Sequence, residues 1–302
     1  MPLIVPDDTP LSILIAFAFR HENDCRADYA RFLTTPCYND DTIMADMQYR
    51  RCGKSGVLLP EISLGLWHNF GDGADPAVCR SMIGRALELG ICHFDLADNY
   101  GPPPGSAESC FGRLLKNDFA ARRDEMFIST KAGWDMWPGP YGNWGSRKYL
   151  MASLEQSLRR MNLDYVDLFY SHRFDPETPL EETLQALVDI VRQGKALYIG
   201  ISRWPHEATE FAYRYLKERD VPCLIYQGCY NLFRREPEEE GILKQAKENG
   251  VGFISFSPLA QGLLTDRYLN GIPEDSRIAH GGHLKKESLT EQTLKRIQAL
   301  NE

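Results

Sequence analysis

The sequence lacks the excess of positive charge that is typical of nucleic-acid-binding proteins and the long apolar segment that is typical of membrane proteins. Its 302 residues include 34 Lys or Arg against 42 Asp or Glu, for a formal net charge of −8, which argues against a general nucleic-acid or membrane surface. The apolar run LSILIAFAF, residues 11–19, is too short to span a bilayer, and no positive flank precedes it as in a signal peptide. We therefore expect a cytoplasmic protein with neither a nucleic-acid nor a membrane partner.

Several motifs are also missing. The eight cysteines include no CxxC pair, which favours reduced thiols in a cytosolic protein. The HGGH stretch at 280–283 has two histidines and no third ligand, so we predict no metal site. No GxGxxG follows the first predicted strand, which weakens the alternative of an open, doubly wound sheet.

A regular alternation of short β-rich runs and amphipathic helices is present instead. Near-continuous apolar strands, each followed by a helix, indicate a parallel sheet covered by helices. The predicted strands are ISLGLW (62–67), CHFDLA (92–97), MFISTK (126–131), VDLFYSH (166–172), ALYIGIS (196–202), LIYQGCY (224–230) and GFISFS (252–257). Before them, residues 49–62 are typical of a β-hairpin that turns near Lys54.

Eight such units close a (β/α)8 TIM barrel, and the pattern supplies seven. The last helix, residues 288–302, ends the sequence where an eighth strand is expected. We therefore predict an α/β barrel at residues 47–302 that is truncated before strand eight, and an unpatterned N-terminal extension at residues 1–46. The first and seventh strands would then have bare edges, unless part of residues 1–46 enters the gap.

Catalytic groups of such barrels lie where the strands end. An unpaired carboxylate inside a strand is costly, so Asp95 in FDLADNYG needs a cation, and Lys131 of the next strand can supply it. Tyr100 follows in the loop. We expect the lysine to lower its pKa and make it a proton donor to a carbonyl oxygen. His172 can donate a hydrogen bond to the same oxygen. Each residue alone is more often structural, but the four together indicate a site.

The set Asp95, Tyr100, Lys131 and His172 resembles the catalytic tetrad of the aldo-keto reductase family. The resemblance covers about residues 47–302. The strings SLGLWHNFG, NYGPPPGSAE, STKAGWDMWPGPYG and SPLAQGLLTDRYLNGIP are similar to a bacterial branch that reduces L-glyceraldehyde 3-phosphate and is kin to potassium-channel β subunits. The resemblance implies the aldo-keto reductase type of barrel. It also implies that NADPH reduces small aldehydes, such as L-glyceraldehyde 3-phosphate or methylglyoxal-like carbonyls, with Tyr100 as general acid.

The resemblance also implies a cofactor site. Its residues would be Trp67, Asp95, Tyr100, Ser202, Gln227, Ser257, Leu259, Gln261 and Arg267. Arg203 and Trp204 stand where many relatives have Asn or small polar residues, and the segment that holds the adenosine phosphate in the family is absent. NADPH rather than NADH is thus implied by the resemblance alone.

The loop at 133–149 is predicted to wall the substrate pocket. Ser146 is expected to cap the next helix, and Arg147 or Lys148 is a candidate for a substrate phosphate. Of two other candidate functions, the first stays open and the second is rejected. A cofactor-binding regulatory or structural subunit without turnover, like the channel β subunits, is the alternative. A glycosidase needs two facing carboxylates, and only Asp95 is so placed. Homo-oligomer formation is left open.

Overall fold

The computed structural model describes residues 47–274, 276, 278–279, 281 and 284–301, and the backbone of 13–17. Ten strands lie in these ranges: β1 Ile13–Phe17, β2 Tyr49–Arg51, β3 Leu58–Pro60, β4 Ile62–Gly65, β5 His93–Asp95, β6 Phe127–Ala132, β7 Val166–Ser171, β8 Ala196–Ser202, β9 Cys223–Cys229 and β10 Gly252–Phe256. The sequence predicted nine of them, with ends that differ by no more than a few residues.

Eight α-helices lie in the same ranges: α1 Pro76–Glu88, α2 Ser106–Leu114, α3 Arg147–Met161, α4 Leu180–Arg192, α5 His206–Lys217, α6 Glu236–Glu239, α7 Ile242–Asn249 and α8 Glu291–Asn301. Local signals explain where several begin. Asp75 caps α1 by accepting a hydrogen bond from the amide of Ala77, and Pro76 occupies the first turn. None of the helices described is long and apolar enough to cross a bilayer.

The sheet is a closed barrel of eight parallel strands. Strands β4 to β10 follow one another around it in chain order, and β1 pairs with both ends of that series. Ile13 is in register with Phe253 of β10, and Ile15 is in register with Ile62 of β4. The prediction of a TIM-type barrel is confirmed.

The expected bare edges of the first and seventh barrel strands are not found. Residues 13–17, inside the segment predicted to be an unpatterned extension, occupy the place of strand eight. The edges of β4 and β10 carry rows of N–H and C=O groups that need partners, and the backbone of an apolar segment can satisfy both. Hydrophobic pattern alone identified the run at 11–19 but could not indicate which strands it would pair with.

The main core lies between the sheet and the helices, and a smaller cluster fills the barrel floor. There Cys52 and Leu59 of the β2–β3 hairpin pack against Leu168, Leu224 and Ile254 from the barrel strands. The hairpin, confirmed as predicted, therefore covers the end of the barrel where the strands begin. The opposite end, where the strands finish, is left for the site.

Candidate active site

The centre of the site is a buried ion pair. Asp95 ends β5 and Lys131 lies near the end of β6, both almost fully shielded from solvent. The lysine Nζ donates to Asp95 Oδ2 over 2.7 Å and to the carbonyl oxygen of Leu96 over 2.6 Å. Burial raises the pKa of Asp95, but Lys131, His93 and Ser129 together outweigh this effect, so the net shift of that pKa is downward. Burial likewise lowers the pKa of Lys131, and Asp95 and Tyr100 raise it overall. The sequence prediction of this pairing is confirmed.

Tyr100 lies over the same lysine. Its hydroxyl is 3.2 Å from Lys131 Nζ, which also lies 4.8 Å from the centre of the tyrosine ring. The expectation that the lysine lowers the pKa of Tyr100 is wrong for the net shift. Burial raises that pKa above its ordinary value, and the charges of Lys131 and Arg203 only oppose the rise. The phenol therefore keeps its proton at neutral pH.

His172 completes the predicted set of four. It follows β7 directly, and its ring centre lies 6.0 Å from that of Tyr100 in an edge-on arrangement. Burial, with the charges of Lys131, Arg203 and Arg173, lowers its pKa well below the usual value. The imidazole is thus neutral. Its Nδ1 is buried and has no hydrogen-bond partner among the described residues.

A polar layer beneath Asp95 was missed by sequence reasoning. Ser129 donates to Asp95 Oδ1 over 2.7 Å, and its hydroxyl also lies 3.1 Å from His93 Nε2. His93 Nδ1 lies 2.7 Å from the hydroxyl of Ser63. A signal was present, because His93 and Asp95 stand two residues apart on one strand, as do Ser129 and Lys131 on the next. Such spacing places both members on one face. This layer fixes the orientation of the carboxylate.

The predicted nicotinamide contacts border the same centre. The Gln227 side chain reaches the ion pair, and its Nε2 lies 3.2 Å from Asp95 Oδ2. Ser202 is in register with Gln227 on the neighbouring strand and is buried. Its Oγ has no partner within the described part of the chain. The Trp67 ring centre lies 6.5 Å from that of Tyr100. A buried hydroxyl beside a carboxamide side chain fits an amide ligand.

The remaining predicted cofactor residues follow β10. Ser257 and Gln261 both have positive φ, 54° and 60°, in the left-handed region that non-glycine residues seldom adopt. The Oε1 of Gln261 is buried with no partner among the described residues. Leu259 is exposed, and Arg267 lies in a short turn at Asp266–Tyr268. Strained backbone and an unsatisfied amide are typical of ligand-binding loops, so this segment fits a cofactor.

The loop at 133–146 forms a wall of the site. Its Trp134 ring centre lies 6.2 Å from that of His172. Ser146 caps α3 by accepting from the amide of Tyr149 over 3.3 Å, as predicted. Arg147 points elsewhere, because it pairs with Asp189 of α4. Lys148 lies over the Tyr141 ring. The two predicted phosphate candidates are therefore engaged with other groups.

A second buried carboxyl, Asp98, supports this wall and was also missed. Its Oδ2 accepts from Tyr149 over 2.8 Å and from Ser153 over 2.6 Å. The Tyr149 hydroxyl also lies 2.6 Å from the carbonyl oxygen of Trp134. Burial raises the pKa of Asp98 to about 7. The Tyr149 hydroxyl therefore lies between Asp98 and the peptide of Trp134, and its single proton can be donated to only one of these two oxygens at a time.

The described residues contain no cluster of ligands suited to a metal ion. The HGGH motif lies largely outside them, so the prediction that it binds no metal stays a prediction. The thiols of Cys52, Cys79, Cys92, Cys110, Cys223 and Cys229 are free.

Residues 61–302 match the model of the aldo/keto reductase family. The chain belongs to this family. It is an oxidoreductase. This aldo/keto reductase is 58% identical to the L-glyceraldehyde 3-phosphate reductase of Escherichia coli K12 over 260 residues, 85% of this chain and 75% of that protein.

Two further proteins are similar to this chain at lower sequence identity. The reductase is 35% identical over 258 residues to a protein of Oryza sativa subsp. japonica named a probable voltage-gated potassium channel subunit beta, covering 84% of this chain and 77% of that one. A solved thermostable aldo-keto reductase in complex with the inhibitor epalrestat is 30% identical, with a TM-score of 0.62. That match covers 84% of this chain and all of the other.

Proposed function

We propose that this aldo/keto reductase reduces small aldehydes with NADPH, with L-glyceraldehyde 3-phosphate and methylglyoxal-like carbonyls as substrates. The observation that carries the proposal is that Lys131 Nζ contacts Asp95 and the Tyr100 hydroxyl at once, next to a neutral His172. The name of the Escherichia coli relative supports the phosphorylated substrate.

A nicotinamide cofactor would supply the hydride for the reduction. Ser202 and Gln227 would hold its carboxamide, since Ser202 has an unsatisfied buried hydroxyl and Gln227 lies beside the ion pair. Arg267 and the segment after β10 would meet its phosphates, near the phosphate site common in barrels. The four positions Trp67, Ser257, Leu259 and Gln261 complete the set.

The chain's own groups move one proton. The Tyr100 hydroxyl donates it to the substrate's carbonyl oxygen as negative charge develops there. Lys131, 3.2 Å away, stabilises the phenolate that remains, and Asp95 keeps that lysine charged. His172 donates an N–H to the same oxygen and so orients the carbonyl group. The burial of Asp95, Lys131 and His172 and the partial burial of Tyr100 strengthen these interactions.

The test is the loss of absorbance at 340 nm when aldehyde is added to protein and NADPH. We expect turnover with L-glyceraldehyde 3-phosphate and with methylglyoxal, and tighter binding of NADPH than of NADH in a fluorescence titration. Cofactor binding without turnover of any aldehyde would contradict the proposal.

That last outcome would support the second candidate, a cofactor-binding subunit without turnover. The similarity to the rice protein named as a channel subunit favours it. The intact pairing of Tyr100 with Lys131 favours the enzyme, because a purely structural barrel has no need of a proton donor at its mouth.

A further inference from the structure

Two arginines flank the indole of Trp134 at the mouth of the barrel. Arg173 follows His172, and its Cζ lies 3.9 Å from the Trp134 ring centre and 3.5 Å from that of Trp144. Arg203 follows β8, and its Cζ lies 5.7 Å from the Trp134 ring and 4.7 Å from the Phe256 ring. Both cations thus rest on aromatic faces, which hold a guanidinium group without neutralising it.

Neither guanidinium forms an ion pair with a carboxylate among the described residues. Several other arginines do, including Arg123 with Asp167 and Arg160 with Glu108. Arg173 donates instead to neutral oxygens, those of Gly133 and Asn143, each over 2.7 Å. Burial lowers the pKa of Arg173, and the charge of Arg203 lowers it further against the opposing effect of Asp135 and Asp175. Two guanidinium groups that form no ion pair with the described residues therefore lie together at this mouth, in a chain of net charge −8.

The backbone at Arg203 is unusual. Its φ is +56°, a conformation that costs a non-glycine residue energy and that tends to occur at functional sites. Ser202 and Trp204 on either side are buried, while Arg203 is exposed. The turn therefore presents one cation to the mouth between two buried neighbours.

Arg173 and Arg203 lie close to Tyr100 and His172. The charge of Arg203 opposes the rise in the pKa of Tyr100, and both arginines help to lower that of His172. Trp134, the ring that both arginines contact, lies 6.2 Å from the His172 ring. An aldehyde held by Tyr100 and His172 would thus extend toward the arginines.

We propose that Arg203, with Arg173 beside it, binds the phosphate group of a phosphorylated aldehyde substrate. This rests on the proposed function and assigns its specificity to residues. A guanidinium offers paired N–H donors that match a phosphate's oxygens. The exposed Arg203 guanidinium forms no ion pair with the residues that the structure describes. Arg173 is held by Gly133, Asn143 and two indoles, so it adds fixed charge. Arg147, paired with Asp189, takes no part.

The first experiment compares Arg203→Met with Arg147→Met, which removes a half-buried, ion-paired cation from outside the site. For Arg203→Met we expect the KM for L-glyceraldehyde 3-phosphate to rise about 10- to 100-fold, the range for one good charged contact. The KM for methylglyoxal, which has no phosphate, should change less than about threefold, and NADPH affinity should hold. Arg203→Lys should recover part of the loss. Arg147→Met should change neither KM.

The second experiment needs no turnover. Glycerol 3-phosphate, with glycerol as the uncharged control, is titrated calorimetrically into the protein saturated with NADPH. We expect wild type and Arg147→Met to bind the phosphate ester and Arg203→Met to lose that binding. Equal KM changes for both aldehydes, or unchanged glycerol 3-phosphate binding in Arg203→Met, would overturn the phosphate site. Loss of this binding in a protein that reduces no aldehyde would support the site and overturn the proposed function.

Discussion

Lys131 and Asp95 form the ion pair on which the site is built, with Nζ and Oδ2 2.7 Å apart and both side chains excluded from solvent. Burying two charges costs several kcal/mol each, and only their mutual attraction and further hydrogen bonds offset that cost. The Leu96 carbonyl, Ser129 and Gln227 supply those bonds. The pair is therefore both the electrostatic support of Tyr100 and a point where the fold is vulnerable.

Replacement of Lys131 by Met should destabilise the protein by about 3–5 kcal/mol, because it leaves the Asp95 carboxylate buried without a counter-charge. Urea unfolding measures the loss. The double variant Asp95→Asn/Lys131→Met removes both charges and should regain much of the stability. Equal unfolding midpoints for wild type and the single variant would refute the buried-pair argument.

Tyr100→Phe should abolish aldehyde reduction, since it removes the proposed proton donor, while NADPH affinity changes less than about twofold. The matched control is Tyr170→Phe. The Tyr170 ring centre lies 5.6 Å from Lys131 Nζ. The Tyr170 hydroxyl is buried and has no hydrogen-bond partner in the described ranges. Loss of that hydroxyl should leave activity intact. Comparable activity loss in the two variants would indicate that packing around Lys131, not proton donation, is what matters.

Asp98 should make stability depend on pH in a defined direction. Its native pKa of about 7 exceeds the ordinary value near 3.9, so between these values the folded state binds more protons than the unfolded state. The contribution of Asp98 to the free energy of unfolding therefore falls as pH rises from about 4 to 7, and it is constant above pH 7. The difference in unfolding free energy between wild type and Asp98→Asn should shift by on the order of 3–4 kcal/mol across that window. A difference independent of pH would contradict it.

Deletion of residues 1–46 should open the barrel. It removes β1, and the edges of β4 and β10 then lose their partners. Exposed edges promote association between chains, so we expect aggregates in size-exclusion chromatography and weaker NADPH binding, because the segment after β10 loses its neighbour. A matched deletion of α8, which lies outside the barrel sheet, should leave the protein monodisperse. A compact species after removal of 1–46 would show that β1 is dispensable for closure.

Much of this fold follows from local pattern. Seven βα units were found because parallel strands such as β7 and β8 are continuous apolar runs, and the positions of Asp95 and Lys131 at strand ends predicted their contact. The partner of β1 could not be found this way, since pairing is a long-range choice that an apolar run does not encode. The pKa of Tyr100 was predicted in the wrong direction because it depends on how completely packing excludes water, which sequence does not give. Ser63, His93 and Ser129 were overlooked as ordinary strand residues.

The closing strand has a consequence for how the chain is made. Ile13 and its register partner Phe253 lie about 240 residues apart, so at roughly 5–20 residues per second the first strand leaves the ribosome well before its partner exists. During that interval of tens of seconds β1 can pair with β4, but its other edge has no strand to join. Chaperone demand during synthesis should therefore be concentrated on this early segment, and ring closure should be the final event of folding.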